Sequence, residues 1–390
     1  MRKTIGFFLG LVFFSLSFGL RSGEKPEPKF RLQFDLEHPQ LVVTAEYMTI
    51  EELLDPKVIE LAKKYNLLVA PCIWPEDLGE ELDHLLDVYE ANGLQIIFWP
   101  QLSRDHCLYL NKEYAEEYLA YLDAIYAWAD KYNHHIDAMI VDIEPPDCQP
   151  GSNLGPFCGE EAKKDPNRKK LCELIRPMMQ EQTFGRILKA MGKRSFEESI
   201  PKFQAVLDKL HEHGTIAIST AMDYAAVDLA INRPVLQDLA GGPSLLINWD
   251  VYSFMNFGSA NYGALKKIGF TQNDVRYLSY LLSRVIYKHY GTKVGMSIGQ
   301  TIPGEGHAPI YTEPEPLELD AGAIKSAGVI HFAIYDLQGV VDKPDPDEWI
   351  LAVKDAPPKK PRFSLKAISL WNTIKLGAWI LQAYRVLNGN

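Results

Sequence analysis

Two carboxylates at the end of a short apolar segment are the residues best suited to chemistry. Asp142 and Glu144 follow the run 138–141 and precede Pro145 and Pro146. The run is too short for a helix and the prolines end it, so we predict a buried β-strand. Side chains at positions i and i+2 of a strand point to the same face. Both acids are therefore expected side by side at the carboxyl end of this strand.

Adjacent carboxylates are suited to acid–base catalysis. The negative charge of one raises the proton affinity of the other. Hydrolysis of a glycosidic bond needs such a protonated acid near the leaving oxygen. Glu144 is therefore predicted to be the general acid and Asp142 its partner. The alternative is a structural ion pair with no chemical role.

The acidic strand is one of eight predicted strands that alternate with helices between residues 41 and 354. The predicted strands are 41–47, 67–73, 94–99, 138–144, 215–222, 249–255, 294–298 and 329–335. This alternation predicts an α/β fold, a (β/α)8 TIM barrel, whose catalytic groups lie at the strand carboxyl ends. An open doubly wound sheet is the alternative, but no GxGxxG motif follows the first strand.

Three segments fall outside this repeat. Residues 1–19 combine a basic start with an apolar stretch and are predicted to be a secretory signal peptide, which implies a secreted or extracytoplasmic protein. The barrel is assigned to residues 20–355, with a long cysteine-containing insertion at 145–183, after the fourth strand. Residues 356–390 are predicted to be a linker and an amphipathic helix. This helix is expected to dock on the barrel, or else to contact a membrane surface or a partner.

The acidic strand resembles the motif of glycoside hydrolase family 18, the chitinases and endo-β-N-acetylglucosaminidases. The fourth strand of that family reads roughly D-G-x-D-x-D-x-E. Asp137, Asp142 and Glu144 match three of its four acids, and Ile140 stands at the other. The resemblance implies that Glu144 is the general acid and that Asp142 orients the N-acetyl group of the substrate, with Asp137 as a supporting residue.

A second similarity to that family lies on the sixth predicted strand. The family has the pattern M-x-Y-D/N there, and this chain has Met255, Asn256 and Phe257, so a phenylalanine replaces the tyrosine. The eighth predicted strand ends in Tyr335 and Asp336, where the family commonly has a tryptophan.

Polar and aromatic residues at the other strand ends are predicted to bind a sugar. Aromatic rings stack on the apolar faces of sugars, and amides and carboxylates bind hydroxyl groups. The candidates are Trp99, Tyr224, Asn256, Gln300, Tyr335 and Asp336. Asp336 is also the candidate for a second catalytic carboxylate.

Composition limits the partners of the chain. The formal net charge is −11, which disfavours non-specific binding of nucleic acid. Export would permit disulfides, and Cys72 with Cys107, or two cysteines of the insertion, are the expected pairs. No CxxC motif is present, so a zinc site is not predicted. No metal or organic cofactor is predicted.

The sequence thus predicts a secreted glycoside hydrolase acting on an N-acetylhexosamine-containing or related glycan. One alternative is a catalytically inactive, lectin-like barrel that binds glycans. The other is a metal-dependent barrel hydrolase in which Asp142 and Glu144 hold a divalent ion.

Overall fold

The computed structural model describes residues 40–103, 109–145, 195–302 and 310–387. The predicted signal peptide lies outside these residues, and so does the predicted insertion apart from Pro145. Four of the five cysteines also lie outside them, namely Cys107, Cys148, Cys158 and Cys172.

The described residues form a nearly closed barrel of parallel strands. In chain order these are β1 (Val42–Ala45), β2 (Leu68–Ile73), β3 (Gln95–Ile96), β4 (Trp99–Pro100), β5 (Ala138–Ile143), β6 (Ile216–Met222), β7 (Val251–Asn256), β8 (Val294–Gly299) and β9 (His331–Tyr335). The hydrogen-bonded order is β3-β2-β1-β9-β8-β7-β6-β5, and β4 also pairs with β2. The predicted (β/α)8 barrel is therefore confirmed, with β5 as the acidic strand.

The third barrel strand consists of two short segments, β3 and β4, where the sequence predicted one continuous strand. Both segments pair with β2. Between them, the Phe98 N–H donates to the carbonyl of Ala138, and the Phe98 carbonyl accepts from the Ile140 N–H. Phe98 therefore turns from β2 toward β5, which interrupts the strand and closes the barrel.

Helices alternate with the strands. They are α1 (Ile50–Leu53), α2 (Pro56–Tyr65), α3 (Glu80–Ala91), α4 (Ala115–Tyr132), α5 (Ser195–Glu212), α6 (Val227–Ile231), α7 (Leu236–Leu239), α8 (Gly258–Leu265), α9 (Gln272–Tyr290), α10 (Pro314–Lys325), α11 (Leu337–Val341), α12 (Pro346–Lys354) and α13 (Leu365–Leu387). Residues 50–65 form two helices, because Asp55 caps a new helix whose first residue is Pro56.

Alternation along β5 separates the two faces of the sheet. Met139 and Val141 point outward and share one core with Leu122 and Ile125 of α4. Ile140 belongs to a second apolar cluster, which fills part of the barrel interior. Because the period of a strand is two residues, Asp142 lies on the inner face with Ile140.

The C-terminal helix α13 packs against α6 and α9 on the outside of the barrel. Ala367, Trp371 and Ala378 are buried in this contact face. No helix in the described part of the chain combines the length and apolar character needed to cross a membrane.

Candidate active site

A cavity of about 1140 Å³ opens at the carboxyl ends of the barrel strands. Its polar lining includes Glu46, Gln101, Asp142, Glu144 and Gln300, and its aromatic lining includes Trp74, Trp99, Tyr109, Phe257 and Tyr335. Among the described residues that line it there is no lysine or arginine. The cavity is therefore an acidic and aromatic site at the end of the barrel where (β/α)8 enzymes place their chemistry.

The cavity continues into the barrel because several inward-facing residues are small. Thr220 of β6 pairs with Asp142 of β5 on one side and with Ser253 of β7 on the other. Gly295 of β8 pairs with Ser253 in turn. All of these residues line the cavity, at positions that in most barrels carry bulky branched side chains. Small residues, two of them with hydroxyl groups, thus continue the cavity wall from Asp142 across β6, β7 and β8.

Asp142 is a buried acid with a raised pKa. Its side chain is almost inaccessible to solvent. Burial raises the pKa of this carboxyl well above its usual value, and the charges of Glu144 and Glu46 raise it further. The indole of Trp99 lies close enough to offset part of the shift, but it makes no well-formed hydrogen bond with Asp142. Asp142 is therefore a buried carboxyl group with raised proton affinity, placed next to a second carboxyl group.

Several buried polar atoms around the cavity have no hydrogen-bond partner among the described residues. They are Oδ1 of Asp142, Nε1 of Trp99, both amide atoms of Gln101 and Oε1 of Gln300. Buried polar atoms are normally paired, and an unpaired one costs about 1–3 kcal/mol. Four residues with this deficit on one cavity indicate that a polar ligand, or water, completes their hydrogen bonds.

A second acidic group stands on the wall formed by β1 and β9. The Tyr335 hydroxyl donates a hydrogen bond to a carboxylate oxygen of Glu46, and it lies 3.1 Å from the Tyr47 hydroxyl. Burial and the charge of Glu46 raise the pKa of Tyr335, so the hydroxyl keeps its proton. The ring of Tyr335 packs on Phe257 with a centroid distance of 5.0 Å. Glu46 is thus held at the cavity by a protonated donor.

The sequence-predicted site residues fall into two groups. Glu144, Asp142, Trp99, Gln300 and Tyr335 line the cavity together. The other four do not line it, and their described contacts explain why.

Three of those four occupy structural positions around the strand ends. Asn256 alternates with inward-facing Met255 and Phe257, and its Nδ2 donates to Asp223 at 2.7 Å. Tyr224 packs against the outer core. Asp336 accepts from the Gly339 N–H and caps α11.

Asp137 lies at the other end of the acidic strand, where it precedes β5. Its carboxylate is 3.5 Å from Nε2 of His135. It is therefore separated from Asp142 and Glu144 by the length of the strand.

Glu46, Gln101 and Tyr109 are cavity residues that the sequence analysis missed. Glu46 follows β1 in the alternating series Val42, Thr44, Glu46, so strand parity alone could have identified it. Gln101 could not be predicted as a cavity residue, because the third strand is divided into β3 and β4 and Gln101 follows the second segment. No sequence signal marks Tyr109, whose pKa is raised by burial and by the charge of Glu144.

The alternative that Asp142 and Glu144 hold a divalent ion has no support from the acidic, histidine and cysteine residues described in the cavity. Only one described cluster, Asp83, Asp87 and His134, brings three ligand atoms within 4.8 Å of one another. None of the three lines the cavity. Among the described Asp, Glu, His and Cys residues, no third ligand atom therefore lies close enough to Asp142 and Glu144 to form a three-ligand cluster.

Cys72 is a buried free thiol on β2. Its predicted disulfide with Cys107 is therefore wrong. Burial raises the pKa of the thiol well above its usual range, and the charge of Glu46 adds to the shift. Cys72 is thus a neutral packing residue of the barrel interior.

No protein-family model matches the chain, and no curated protein is significantly similar to it. Among solved structures it is similar to a xylose isomerase domain protein from Planctomyces limnophilus, with 10% identity and a TM-score of 0.41 over 86% of this chain and 96% of that one. It is also similar to an L-ribulose 3-epimerase, with 11% identity and a TM-score of 0.39 over 90% of this chain and 98% of that one. At these identities the similarity concerns the barrel fold.

The resemblance to glycoside hydrolase family 18 is wrong. No model of that family matches the chain. The physical reason lies in the motif. Ile140 places an apolar side chain in the barrel interior where that motif has an acid, and Phe257 packs on Tyr335 without supplying a hydroxyl. The predicted hydrolase, glycosidase and chitinase-like activities depended on this resemblance and are also wrong.

Proposed function

We propose that this chain is an enzyme that isomerises or epimerises an uncharged sugar by transferring protons at the carbon next to its carbonyl group. One observation carries the proposal: Asp142, a buried acid whose pKa is raised well above its usual value, lies two residues from Glu144 on the wall of a large cavity. Titratable groups whose environments separate their pKa values act as acid and base in such reactions.

The charge of the cavity supports an uncharged substrate. Four acids line it, namely Glu46, Glu76, Asp142 and Glu144, and the described lining has no lysine or arginine to pair with a phosphate or carboxylate. A phosphorylated sugar or a sugar acid would bring its charge next to these acids without compensation. A neutral polyol avoids this repulsion and offers many hydroxyl groups.

The shape and lining of the cavity support a sugar of one or two rings. Ligand pockets commonly measure about 300–1,000 Å³, so a cavity of about 1140 Å³ has room for such a ligand. Trp74, Trp99 and Phe257 provide aromatic faces for the apolar faces of a sugar. The unpaired amide atoms of Gln101 and Gln300 provide partners for its hydroxyl groups.

In the proposed reaction, Glu144 as carboxylate takes the proton from the carbon beside the carbonyl group. The electrons of that C–H bond form a C=C bond, and the carbonyl oxygen takes the proton of Asp142, which gives an enediol. Return of a proton to carbon completes the reaction, while one hydroxyl of the enediol gives its proton back to Asp142 and becomes the carbonyl group. Return to the other carbon of the enediol isomerises the sugar, and return to the opposite face of the same carbon epimerises it.

Glu46 supports the second of these outcomes. It lies on the wall of β1 and β9, apart from the β5 wall that carries Glu144. Its hydrogen bond from Tyr335 favours the carboxylate form, so Glu46 takes the proton when epimerisation runs in the direction in which a protonated Glu144 supplies the proton to the opposite face. A second carboxylate on another wall is the arrangement that a two-base epimerisation needs.

Carbon-bound proton exchange tests the proposal directly. We expect the enzyme to incorporate deuterium from ²H₂O at the carbon next to the carbonyl group of at least one neutral aldose or ketose. NMR measures this incorporation. Glu144→Gln should lower the rate at least about 100-fold, the lower end of a general-base contribution. Glu76→Gln is the matched control, because Glu76 lines the cavity at its exposed rim, and the rate should change little.

Two results would reject the proposal. One is an absence of exchange across neutral aldoses and ketoses of four to six carbons with folded enzyme. The other is equal exchange by the wild type and the Glu144→Gln variant. Export of the protein, predicted from residues 1–19, remains a separate proposal that this experiment does not address.

A further inference from the structure

We propose that the outer face of the C-terminal helix binds the surface of a membrane that contains anionic lipids. This tail surface consists of exposed apolar residues, namely Ile268, Phe363, Leu365, Leu376, Trp379 and Ile380. Each exposes between 48% and 72% of its area. Ten large hydrophobic residues are exposed in the described chain, and six of them belong to this surface. Contiguous exposed apolar residues mark an interaction site.

The four helical members of the tail surface share one side of α13. At about 100° per residue, Leu365, Leu376, Trp379 and Ile380 fall within a sector of roughly 100°. Lys366 and Lys375 stand at the two edges of that sector. The opposite side of the helix is the one that docks on the barrel, through Ala367, Trp371 and Ala378. The apolar sector therefore faces away from the barrel.

The surface continues onto the 3₁₀ turn Lys266–Ile268. Nζ of Lys366 donates to the carbonyl of Gly269, which holds this turn against the start of α13. Phe363 is anchored by an edge contact with Tyr277, with ring centroids 5.8 Å apart. Ile268 and Phe363 thus extend the apolar sector beyond the helix.

The distribution of charge along the chain favours an anionic membrane as the partner. Residues 356–390 contain six lysines and arginines and no aspartate or glutamate, so the other 355 residues carry a formal charge of −17. An anionic lipid surface attracts the basic tail and repels the remainder of the protein. Basic residues beside an apolar helical sector that includes a tryptophan are the pattern of a helix that lies in the interface of a bilayer.

A second copy of the chain is a less suitable occupant. A two-fold contact brings the same surface of each copy together. The lysines that flank the apolar sector would then face lysines, with no acid within residues 356–390 to pair with them. The charge pattern therefore favours lipid headgroups.

Vesicle binding by the whole mature protein tests the proposal. The probes are vesicles of phosphatidylcholine alone and of phosphatidylcholine mixed with phosphatidylglycerol, with binding measured by flotation at low and high salt. We expect binding to the mixed vesicles only, weakened by salt. The double variant Leu376→Gln/Ile380→Gln should bind at least about tenfold more weakly, because it removes buried apolar area. Lys366→Gln/Lys375→Gln should reduce both the binding and its salt dependence.

Leu351→Gln is the matched control, since Leu351 is an exposed leucine on a different helix, α12. It should bind as the wild type does. The proposal is overturned if folded wild-type protein ignores the mixed vesicles, or if the Leu376→Gln/Ile380→Gln variant binds them equally well. It is also overturned if the tail variants change only a monomer–dimer equilibrium measured by sedimentation. The proposed isomerase activity does not enter this test.

Discussion

Gly241 lies directly against the backbone of Glu144. A Cβ atom on Gly241 would stand 2.5 Å from both the carbonyl carbon and the carbonyl oxygen of Glu144, and 2.9 Å from the nitrogen of Pro145. Gly241 also has φ of +106°, a region that L-residues rarely adopt. The carbonyl of Gly241 accepts from the Lys112 N–H, and the Lys112 side chain forms a buried ion pair with Asp238. The loop after α7 thus fixes the position of Glu144.

Gly241→Ala should displace Glu144 and lower both activity and stability. The new methyl group must push against backbone atoms, which cannot rotate away. We expect the free energy of unfolding to fall by at least about 2 kcal/mol more than in Gly93→Ala, measured by urea denaturation. Gly93 is the matched control because it also has positive φ but has open space around it. Equal losses in the two variants would show that only backbone strain matters at Gly241.

Asp336 should make the protein less stable as the pH rises from about 4 to about 7. Burial raises the pKa of this carboxyl from 3.8 to about 7. Between these values the folded protein holds a proton that the unfolded chain has lost, so the free energy of unfolding falls as pH increases. Above about 7 the carboxyl is ionised in both states and the slope ends.

Asp336→Asn isolates this effect, because asparagine keeps an oxygen that can accept from the Gly339 N–H. Urea denaturation at a series of pH values should show the variant gaining stability relative to the wild type across this window, by up to about 1.4 kcal/mol for each unit of pKa shift. A difference that is constant with pH would contradict the shift of the Asp336 pKa.

Tyr335→Phe should lower turnover while leaving the fold intact. The variant keeps the ring that packs on Phe257 and loses the hydrogen bond to Glu46. Glu46 would then hold its proton more tightly, so the acid limb of the pH–rate profile should move to higher pH. Hydrogen bonds to charged groups contribute about 1.5–3 kcal/mol, which corresponds to a roughly ten- to hundredfold loss of rate. An unchanged pH profile would show that Glu46 takes no part in the reaction.

Periodicity was sufficient to predict the barrel and the position of its acidic pair. Asp142 and Glu144 were found because an apolar strand with a fixed two-residue period ends beside prolines. The same two-residue period places Glu46 after β1 on the cavity side and turns Asn256 away from the cavity.

Other features depend on contacts between distant parts of the chain. Phe98 divides the third strand by pairing with β5. For this reason the strand pattern did not predict that Gln101 lines the cavity. Asp336 stands at a strand end like a catalytic acid but caps α11, so its strand-end position alone was misleading. The incomplete acidic motif indicated a hydrolase family because the spacing of its acids is similar. Spacing gives the position of an acid along the chain. The proton affinity of that acid depends on burial and on neighbours such as Glu46, which spacing does not give.

We expect Asp142 to carry a proton at neutral pH beside an ionised carboxylate. Infrared difference spectroscopy of the wild type against Asp142→Asn at pH 7 measures this proton directly, and Asp336→Asn serves as a second reference because Asp336 also has a raised pKa. We predict that the carbonyl-stretch band of a protonated carboxylic acid is lost in Asp142→Asn. Loss of a carboxylate band in its place would show that Asp142 is ionised and would contradict the proposed mechanism.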